Sequence, residues 1–335
     1  YTGTLVLGKQ SYAFKDQLDA AYNASAQGTL TIPGTSIQLA FTIDELTNSV
    51  AGTVSNGGPP ADLTGWRNVW HISANPASNR VGYYSFGLDL LPGDVGDIDI
   101  PQGSGFGSFT TSADGSLIVT GRLSDGSIFA SSTFMGPDGD FGVYQLCFGG
   151  AGSLLGSLVV TPDLNSTFTG NVVDGTLTWA RITAAPSTTR AYATPFGPTD
   201  LSAFGKYLAS AKGQIILGLP SPATSPTLDF AEGDIGSAAI DPSVSFTFTS
   251  LNSIVMPTAG GPFNPGRTTL SIDAKSGAIE GCFTLVDSGV TRKVTFNGFI
   301  VRPLSGPRKA VGYFLLPQLP LLNNTSPILS GQMLI

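Results

Sequence analysis

Histidine and cysteine carry most nucleophilic and metal chemistry, and this sequence has little of either. It contains one histidine, His71, and two cysteines, Cys147 and Cys282. A Ser-His-Asp or Cys-His arrangement needs an imidazole base, and a zinc site needs several closely spaced thiolate or imidazole ligands. His71 lies in a strand-like run beside Trp70, which is typical of a structural histidine. We therefore expect no enzyme and no catalytic residue.

Calcium is the cofactor for which the sequence offers ligands. Asp94, Asp97 and Asp99 fall in one short turn-rich run and could supply carboxylate oxygens, as could Asp138 with Asp140. Neither group follows the spacing of an EF-hand loop. Asp beside Gly or Pro also forms turns through its own side chain, which favours solvated turns at these positions. Apart from this calcium alternative, no cofactor is predicted.

Aromatic residues raise the alternative of sugar binding. Trp66, Trp70, Tyr83 and Tyr84 could stack on sugar rings while Asp and Asn side chains accept hydrogen bonds from hydroxyl groups. The same four residues could instead be core or cross-strand aromatics. Glycoside hydrolysis needs a pair of carboxylates, but glutamate is rare and no acidic cluster is lined by aromatics. The sugar alternative is therefore binding without hydrolysis.

The elements that must position these residues are β-hairpins. An alternating apolar and polar run, an Asp- or Asn-marked turn and a second run entered through Gly occur at 41–54, 110–123 and 270–283, with a weaker copy at 161–172. Asp, Asn and Gly favour tight turns because they accept positive φ or bond their own backbone. The repeat predicts an all-β, antiparallel fold with little or no helix, in which most Asp residues form turns.

Composition agrees with this fold class and excludes some partners. Charged residues make up 12% of the chain, against roughly 25% in ordinary soluble domains, while Gly (43) and Pro (23) are abundant. The net charge of −7 argues against nucleic-acid binding, which requires a basic surface. No apolar stretch reaches the roughly 18 residues of a spanning helix, so no membrane span is predicted.

Two related β-sandwich or barrel-like units are predicted. A chain of 335 residues favours two domains at about 150 residues each. Residues 184–189 are small, polar and Pro-containing, which predicts a linker between an N-terminal domain (1–183) and a C-terminal domain (190–335). Beyond the linker, the spacing in 201–211 is compatible with one short helix, capped by Asp200 and stopped by Gly213.

The first residue and the cysteines bear on the cellular compartment. The chain starts at Tyr1 without Met, which we interpret as removal of a leader, so secretion to the cell exterior is expected. Cys147 and Cys282 could form one disulfide in an oxidising compartment. Alternatively, each could be a small buried hydrophobic residue.

Both ends of the chain are apolar, strand-like segments. An unpaired apolar strand exposes backbone groups with which other strands can pair, so we expect each end to be paired with another strand. Pairing within the chain would close a sandwich or barrel, whereas pairing with a neighbouring molecule would build a polymer. The residues predicted to form these assembly strands are Thr2, Thr4, Leu5, Val6 and Leu7 at one end and Ile328, Leu329, Met333 and Leu334 at the other.

Short glycine-containing runs recur in both halves of the chain. They lie at 104–107, 113–126 and 152–156, with Tyr144 between the last two, and at 296–301, 312–317 and 326–331. These runs resemble modules of large secreted surface proteins of Verrucomicrobia and related bacteria, and the likeness covers most of the chain. The resemblance implies a β-rich extracellular protein and carries over no catalytic residue, because those proteins have no established activity.

Together these features predict an extracellular structural protein of the cell surface. We expect it to assemble with itself, as a filament or a surface layer, through strand pairing of its termini. The alternative is a non-catalytic carbohydrate-binding or adhesion module whose partners are extracellular glycans.

Overall fold

The structure, a computed structural model, is composed almost entirely of strands and turns. It describes residues 1–23, 28–163, 170–186, 188–208, 215–249, 253–287, 289–320 and 325–335. The helical residues in this part of the chain are two short 3-10 turns, Phe148–Gly150 and Ile235–Ser237. The all-β prediction is confirmed, because the alternating runs form strands and the Asp, Asn and Gly positions form the turns between them.

Residues 1–66 form a small β-sandwich. A hairpin packs against a four-stranded meander, with Ile32, Ile37 and Leu39 buried between the two layers. Leu5 and Phe14 of the hairpin pack on this centre. The strands are β1 (Thr2–Leu7), β2 (Gln10–Lys15), β3 (Leu30–Thr31), β4 (Gln38–Asp44), β5 (Ser49–Ser55) and β6 (Ala61–Trp66).

Residues 82–207 form a nearly closed, eight-stranded antiparallel barrel. Its strands are β7 (Gly82–Leu90), β8 (Gly105–Thr111), β9 (Ser116–Arg122), β10 (Ile128–Phe134), β11 (Asp140–Cys147), β12 (Gly152–Thr161), β13 (Val172–Arg181) and β14 (Phe196–Tyr207). The sheet order is β10-β9-β8-β7-β14-β13-β12-β11. Side chains bridge the seam between β10 and β11: the Ala130 N–H donates to Gln145 Oε1 (3.2 Å), and the Tyr144 N–H donates to Ser131 Oγ (3.4 Å).

The interior of the barrel is a packed core. Successive side chains on each strand point to opposite faces, so every second residue enters the barrel. Phe109 stacks on Tyr84 with ring centroids 5.0 Å apart and meets Phe141 edge-on at 4.9 Å. Trp179 and Phe86 are also fully buried there. These large rings fill the space between the strands.

The C-terminal unit is a seven-stranded half-barrel. Its strands, with a small β17–β18 hairpin beside them, are β15 (Thr227–Glu232), β16 (Val244–Ser245), β17 (Thr247–Phe248), β18 (Ile254–Val255), β19 (Thr269–Ile272), β20 (Ala278–Asp287), β21 (Val290–Val301), β22 (Lys309–Pro317) and β23 (Ile328–Leu334). The sheet order is β16-β15-β23-β22-β21-β20-β19. Its core includes Phe283, Phe296 and Phe314.

The predicted repeat hairpins are confirmed as β4–β5, β8–β9 and β19–β20. In each turn, Asp Oδ1 accepts a backbone N–H two residues later: Asp44 from Leu46 (2.8 Å), Asp114 from Ser116 (3.0 Å) and Asp273 from Lys275 (2.9 Å). The weaker copy is the β12–β13 pair, and its turn at 164–169 lies outside the described residues. These aspartates act as turn formers.

Two expectations about the middle of the chain need correction. Residues 184–189 connect β13 to β14 within the barrel, so they do not separate the two units. The segment expected to be a short helix is strand β14 up to Tyr207, because its backbone pairs with β13 on one side and β7 on the other. The rest of that segment, 209–214, lies outside the described residues. The chain passes from barrel to half-barrel after β14.

The barrel and the half-barrel pack directly on each other. Phe106 of the barrel stacks on Phe299 and Tyr313 of the half-barrel, with centroid distances of 5.6 and 6.2 Å. The Ser104 N–H donates to the Gly312 carbonyl across the same junction (3.1 Å). This contact places the outer wall of β8 and β9 beside the half-barrel.

Candidate functional site

Strand β1 has an unguarded outer edge, meaning that the edge carries none of the features that prevent further strand pairing. It pairs with β2 along its whole length, from Thr2 opposite Lys15 to Leu7 opposite Gln10, and has no second strand partner among the described residues. The strand contains no charged residue and no proline, and its pairing shows no register shift. Lysine, proline and bulges are the usual devices that stop an edge strand from pairing further. On β2 the charge of Lys15 serves that purpose, but β1 has no such device.

Other sheet edges in the described part of the chain are short or protected. In the half-barrel, edge strand β16 has two residues and edge strand β19 has four. The barrel edges β10 and β11 face each other across the bridged seam. Edge strand β6 follows Pro59 and Pro60 and carries Asp62. Among the described sheet edges, β1 therefore combines six residues with the absence of charge, proline and bulge.

The C-terminal strand β23 pairs on both sides with strands of its own chain. This corrects the prediction for one of the two terminal segments, because β23 has no free edge for assembly. Leu334 of β23 lies opposite Asp229 on β15 and opposite Val311 on β22, so the strand has a partner on each side. Ile328 and Leu329 pair with β22, and Met333 is fully buried. The sequence shows that this segment is an apolar strand, but its neighbours come from distant parts of the chain.

Three of the four aromatic residues predicted to bind sugars pack against other parts of the chain. Tyr84 is fully buried in the barrel, where its hydroxyl donates to the Arg80 carbonyl (2.8 Å) and accepts from Asn171 Nδ2 (2.9 Å). Trp66 and Trp70 pack against the barrel core, and their indole N–H groups donate to the Phe134 (3.4 Å) and Gly136 (3.1 Å) carbonyls. Tyr84 is therefore inaccessible to a sugar, whereas Trp66 and Trp70 are partly buried and pack against the barrel core.

Tyr83, the fourth aromatic, lies on the outer wall of the barrel. Its hydroxyl donates to the Ser276 carbonyl of the half-barrel (3.0 Å), and burial raises its pKa above the usual value. It lines an open groove of about 610 Å³ together with Ser108, Thr110, Ser112, Ser116, Ile118, Thr120 and Ser132. The residues around Tyr83 were not predicted from the sequence, although the alternation of small hydroxyl residues with Phe109 and Leu117 could have identified the outer face.

The loop that contains the three predicted calcium ligands is organised by an amide side chain. Gln102 is buried, and its Nε2 donates to the carbonyls of Asp94 (3.1 Å), Asp97 (2.8 Å) and Ile100 (3.0 Å). The Asp97 carboxylate accepts the Asp99 N–H (3.0 Å). No group of three or more His, Cys, Asp and Glu side chains in the described residues could hold a metal ion, so these aspartates do not form the predicted cluster.

Comparison with known proteins gives no evidence about function. No family model, curated protein or solved structure matches this chain. What the resemblance implies about the cell surface therefore remains a prediction. In the part of the chain that the structure describes, no helix has the length and apolar character to cross a membrane.

Of the two alternatives for the cysteines, the structure shows no disulfide: Cys147 and Cys282 are both free thiols. Cys147 belongs to the barrel core and Cys282 lies on β20 of the half-barrel, so the two sulfurs sit in separate sheets. Burial, with the nearby charge of Asp125, raises the pKa of Cys147 to about 11. The thiol is therefore protonated at neutral pH and behaves as a small hydrophobic residue.

The single histidine has a local role in a turn. His71 Nδ1 accepts the backbone N–H groups of Ser73 (3.3 Å) and Ala74 (3.2 Å). Its backbone also forms an isolated antiparallel bridge with Asn75. These contacts involve His71 in local turn geometry.

Proposed function

We propose that this chain is a structural protein of the cell exterior that associates with copies of itself by strand addition at β1. The observation that carries the proposal is the unguarded outer edge of β1, which lacks charge, proline and bulge over six residues. An exposed strand edge of this kind presents a row of unpaired N–H and C=O groups with which another chain can pair. The low charge content of 12% is also compatible with close packing of copies.

The partner strand in this proposal is β1 of a second copy. Two identical edges that pair antiparallel are related by a two-fold axis, so the contact closes as a dimer. The middle residues Thr4 and Leu5 then lie nearest the axis. A filament built by exchange of both termini would need β23, which is already paired on both sides. The first unit of assembly is therefore a two-fold symmetric dimer, in place of the polymer predicted from the sequence.

Sedimentation velocity of the full chain over a range of concentrations tests this pairing. The wild type is expected to form a dimer in a concentration-dependent way. Thr4→Lys should be monomeric, because it places a charge in the middle of the edge strand, where lysine is a usual device that prevents further strand pairing. The matched control is Thr176→Lys, which introduces the same charge at an exposed position on barrel strand β13.

Two results would contradict the proposal. One is a wild-type chain that remains monomeric at its highest soluble concentration. The other is a dimer that Thr4→Lys and Thr176→Lys affect equally. Circular dichroism of both variants checks that the fold is retained.

A further inference from the structure

The groove beside Tyr83 is built from rows of outward-facing side chains on four neighbouring strands. In one row Tyr83 lies opposite Thr110, Thr110 opposite Ile118, and Ile118 opposite Ser132. The adjacent row runs through Ser85, Ser108, Thr120 and Ala130. The floor of the groove is therefore a regular sheet surface of hydroxyl groups around one aromatic and one aliphatic side chain.

The backbone N–H and C=O groups of the groove floor already form hydrogen bonds between neighbouring strands. Strand β8 pairs with β7 and β9, and β9 pairs with β8 and β10, so neither strand has a free edge. A peptide that binds by strand addition would find no backbone partner here. Recognition must come from the side chains, which favours a ligand that offers many hydrogen-bonding groups along its own length.

The chemistry of the lining favours a neutral polyol. None of the described residues that line the 610 Å³ groove is charged, and most of its polar groups are Ser and Thr hydroxyls, which both donate and accept hydrogen bonds. Tyr83 and Ile118 add an aromatic and an apolar surface; Ile118 is 60% exposed. Sugar rings present hydroxyls at their rims and C–H groups on their faces, which matches this combination.

The groove also continues toward the half-barrel. An adjoining crevice of about 250 Å³ shares Ser108 and Thr120 with it and reaches Asn297 on the half-barrel. One arginine and one glutamate, Arg122 and Glu280, line this crevice, so its formal charges balance. Beside the shared residues, the hydroxyl of buried Ser85 has no hydrogen-bond partner among the described residues. An extended ligand could follow the surface from one unit to the other.

We infer that the groove binds a linear, neutral oligosaccharide chain. The ligand lies across β8 and β9, with a sugar face against Ile118 and its hydroxyls bonded to Thr110, Thr120 and Ser108. This site is separate from the β1 edge, so glycan binding and self-association can be tested independently. Of the four aromatics predicted from the sequence, Tyr83 lines this groove.

Isothermal titration and saturation-transfer NMR with cellohexaose, xylohexaose, laminarihexaose and mannohexaose test the inference. At least one hexaose is expected to bind the wild type. The double variant Thr110→Val and Thr120→Val removes two hydroxyls without changing side-chain shape or strand propensity. It should bind about tenfold more weakly, because two neutral hydrogen bonds to the ligand are lost.

The control is the double variant Thr64→Val and Thr176→Val, which makes the same chemical change at exposed strand positions outside the groove. It should bind like the wild type. The inference is overturned if none of the four hexaoses binds, or if Thr110→Val with Thr120→Val binds as tightly as the wild type. Binding restricted to charged polysaccharides or to peptides would also overturn it.

Discussion

The hydroxyls of Tyr192 and Ser330 lie 2.9 Å apart in the buried junction between the barrel and the last strand, and Tyr192 Oη also accepts the Ser330 N–H at 2.8 Å. The Ile328 N–H donates to the Arg190 carbonyl (3.0 Å), and Arg190 Nε donates to the Ser326 carbonyl (2.8 Å). The C-terminal strand is thus held by the barrel as well as by its own sheet. This is why the proposed self-association uses β1 rather than β23.

Tyr192→Phe should destabilise the chain, because it removes the acceptor of a buried backbone N–H. An unsatisfied buried donor costs about 1–3 kcal/mol of the free energy of unfolding. Urea denaturation followed by tryptophan fluorescence measures the change. Tyr144→Phe removes an equivalent hydroxyl from the exposed wall of β11 and should leave the urea midpoint unchanged. Equal midpoints for Tyr192→Phe and the wild type would contradict the role given to this hydroxyl.

Asp287→Asn should lower the free energy of unfolding by about 3–5 kcal/mol, because it leaves the Arg292 guanidinium buried without a counter-charge. Arg292 Nη2 lies 2.5 Å from Asp287 Oδ2, and Asp287 Oδ1 accepts the Ala239 N–H (2.8 Å). The control is Asp229→Asn on the exposed face of β15, which should have little effect.

The same ion pair predicts a pH dependence of stability. Burial opposes ionisation of Asp287, but the Ala239 N–H and Arg292 together hold its pKa below the ordinary value. The stabilisation is therefore present above the unfolded pKa of about 4 and is lost as pH falls through the folded pKa. Urea midpoints should fall more steeply with acid in the wild type than in Asp287→Asn. Parallel acid profiles would contradict this.

Gln102→Glu should destabilise the loop of residues 94–102. The substitution replaces an amide donor by a carboxylate oxygen that faces three backbone carbonyls, at an expected cost of about 1–3 kcal/mol. Thermal unfolding of the variant is compared with that of Gln38→Glu, which makes the same change on an exposed strand. In the wild type, calcium chloride should leave the melting temperature unchanged. A rise in that temperature with calcium would show that the loop binds the ion.

Cys147 should resist alkylation in the folded chain. Its thiol is buried and its pKa is raised to about 11, so little thiolate is present at neutral pH. Peptide mass spectrometry after iodoacetamide treatment should find Cys147 unmodified in the native protein and fully modified in guanidinium without reductant. A requirement for reductant before Cys147 and Cys282 can be alkylated would instead reveal a disulfide.

Local features of the fold were predictable because they depend on neighbouring residues. The β4–β5, β8–β9 and β19–β20 hairpins follow from alternation and from Asp turns that bond their own backbone. The Asp44, Asp114 and Asp273 contacts each span only two residues. For the same reason, the terminal segments were recognisable as strands.

Long-range placement was not predictable from these patterns. A small, polar, proline-containing stretch such as 184–189 is typical of any loop, and only pairing of β14 with both β13 and β7 shows that it lies within the barrel. Tyr83 and Tyr84 are adjacent in sequence, and alternation places them on opposite faces. Which face became the core depended on packing with strands from elsewhere in the chain.

The sequence by itself determined an all-β chain of antiparallel hairpins with apolar strands at both ends. Tertiary structure decided which ends and faces remain available: β23 is enclosed between two strands, β1 keeps an open edge, and the wall around Ile118 faces solvent. The physical reason is that strand formation depends on local alternation and turn chemistry. Whether an edge is paired or a face is covered depends on hydrogen bonds and contacts between residues that are far apart in the chain.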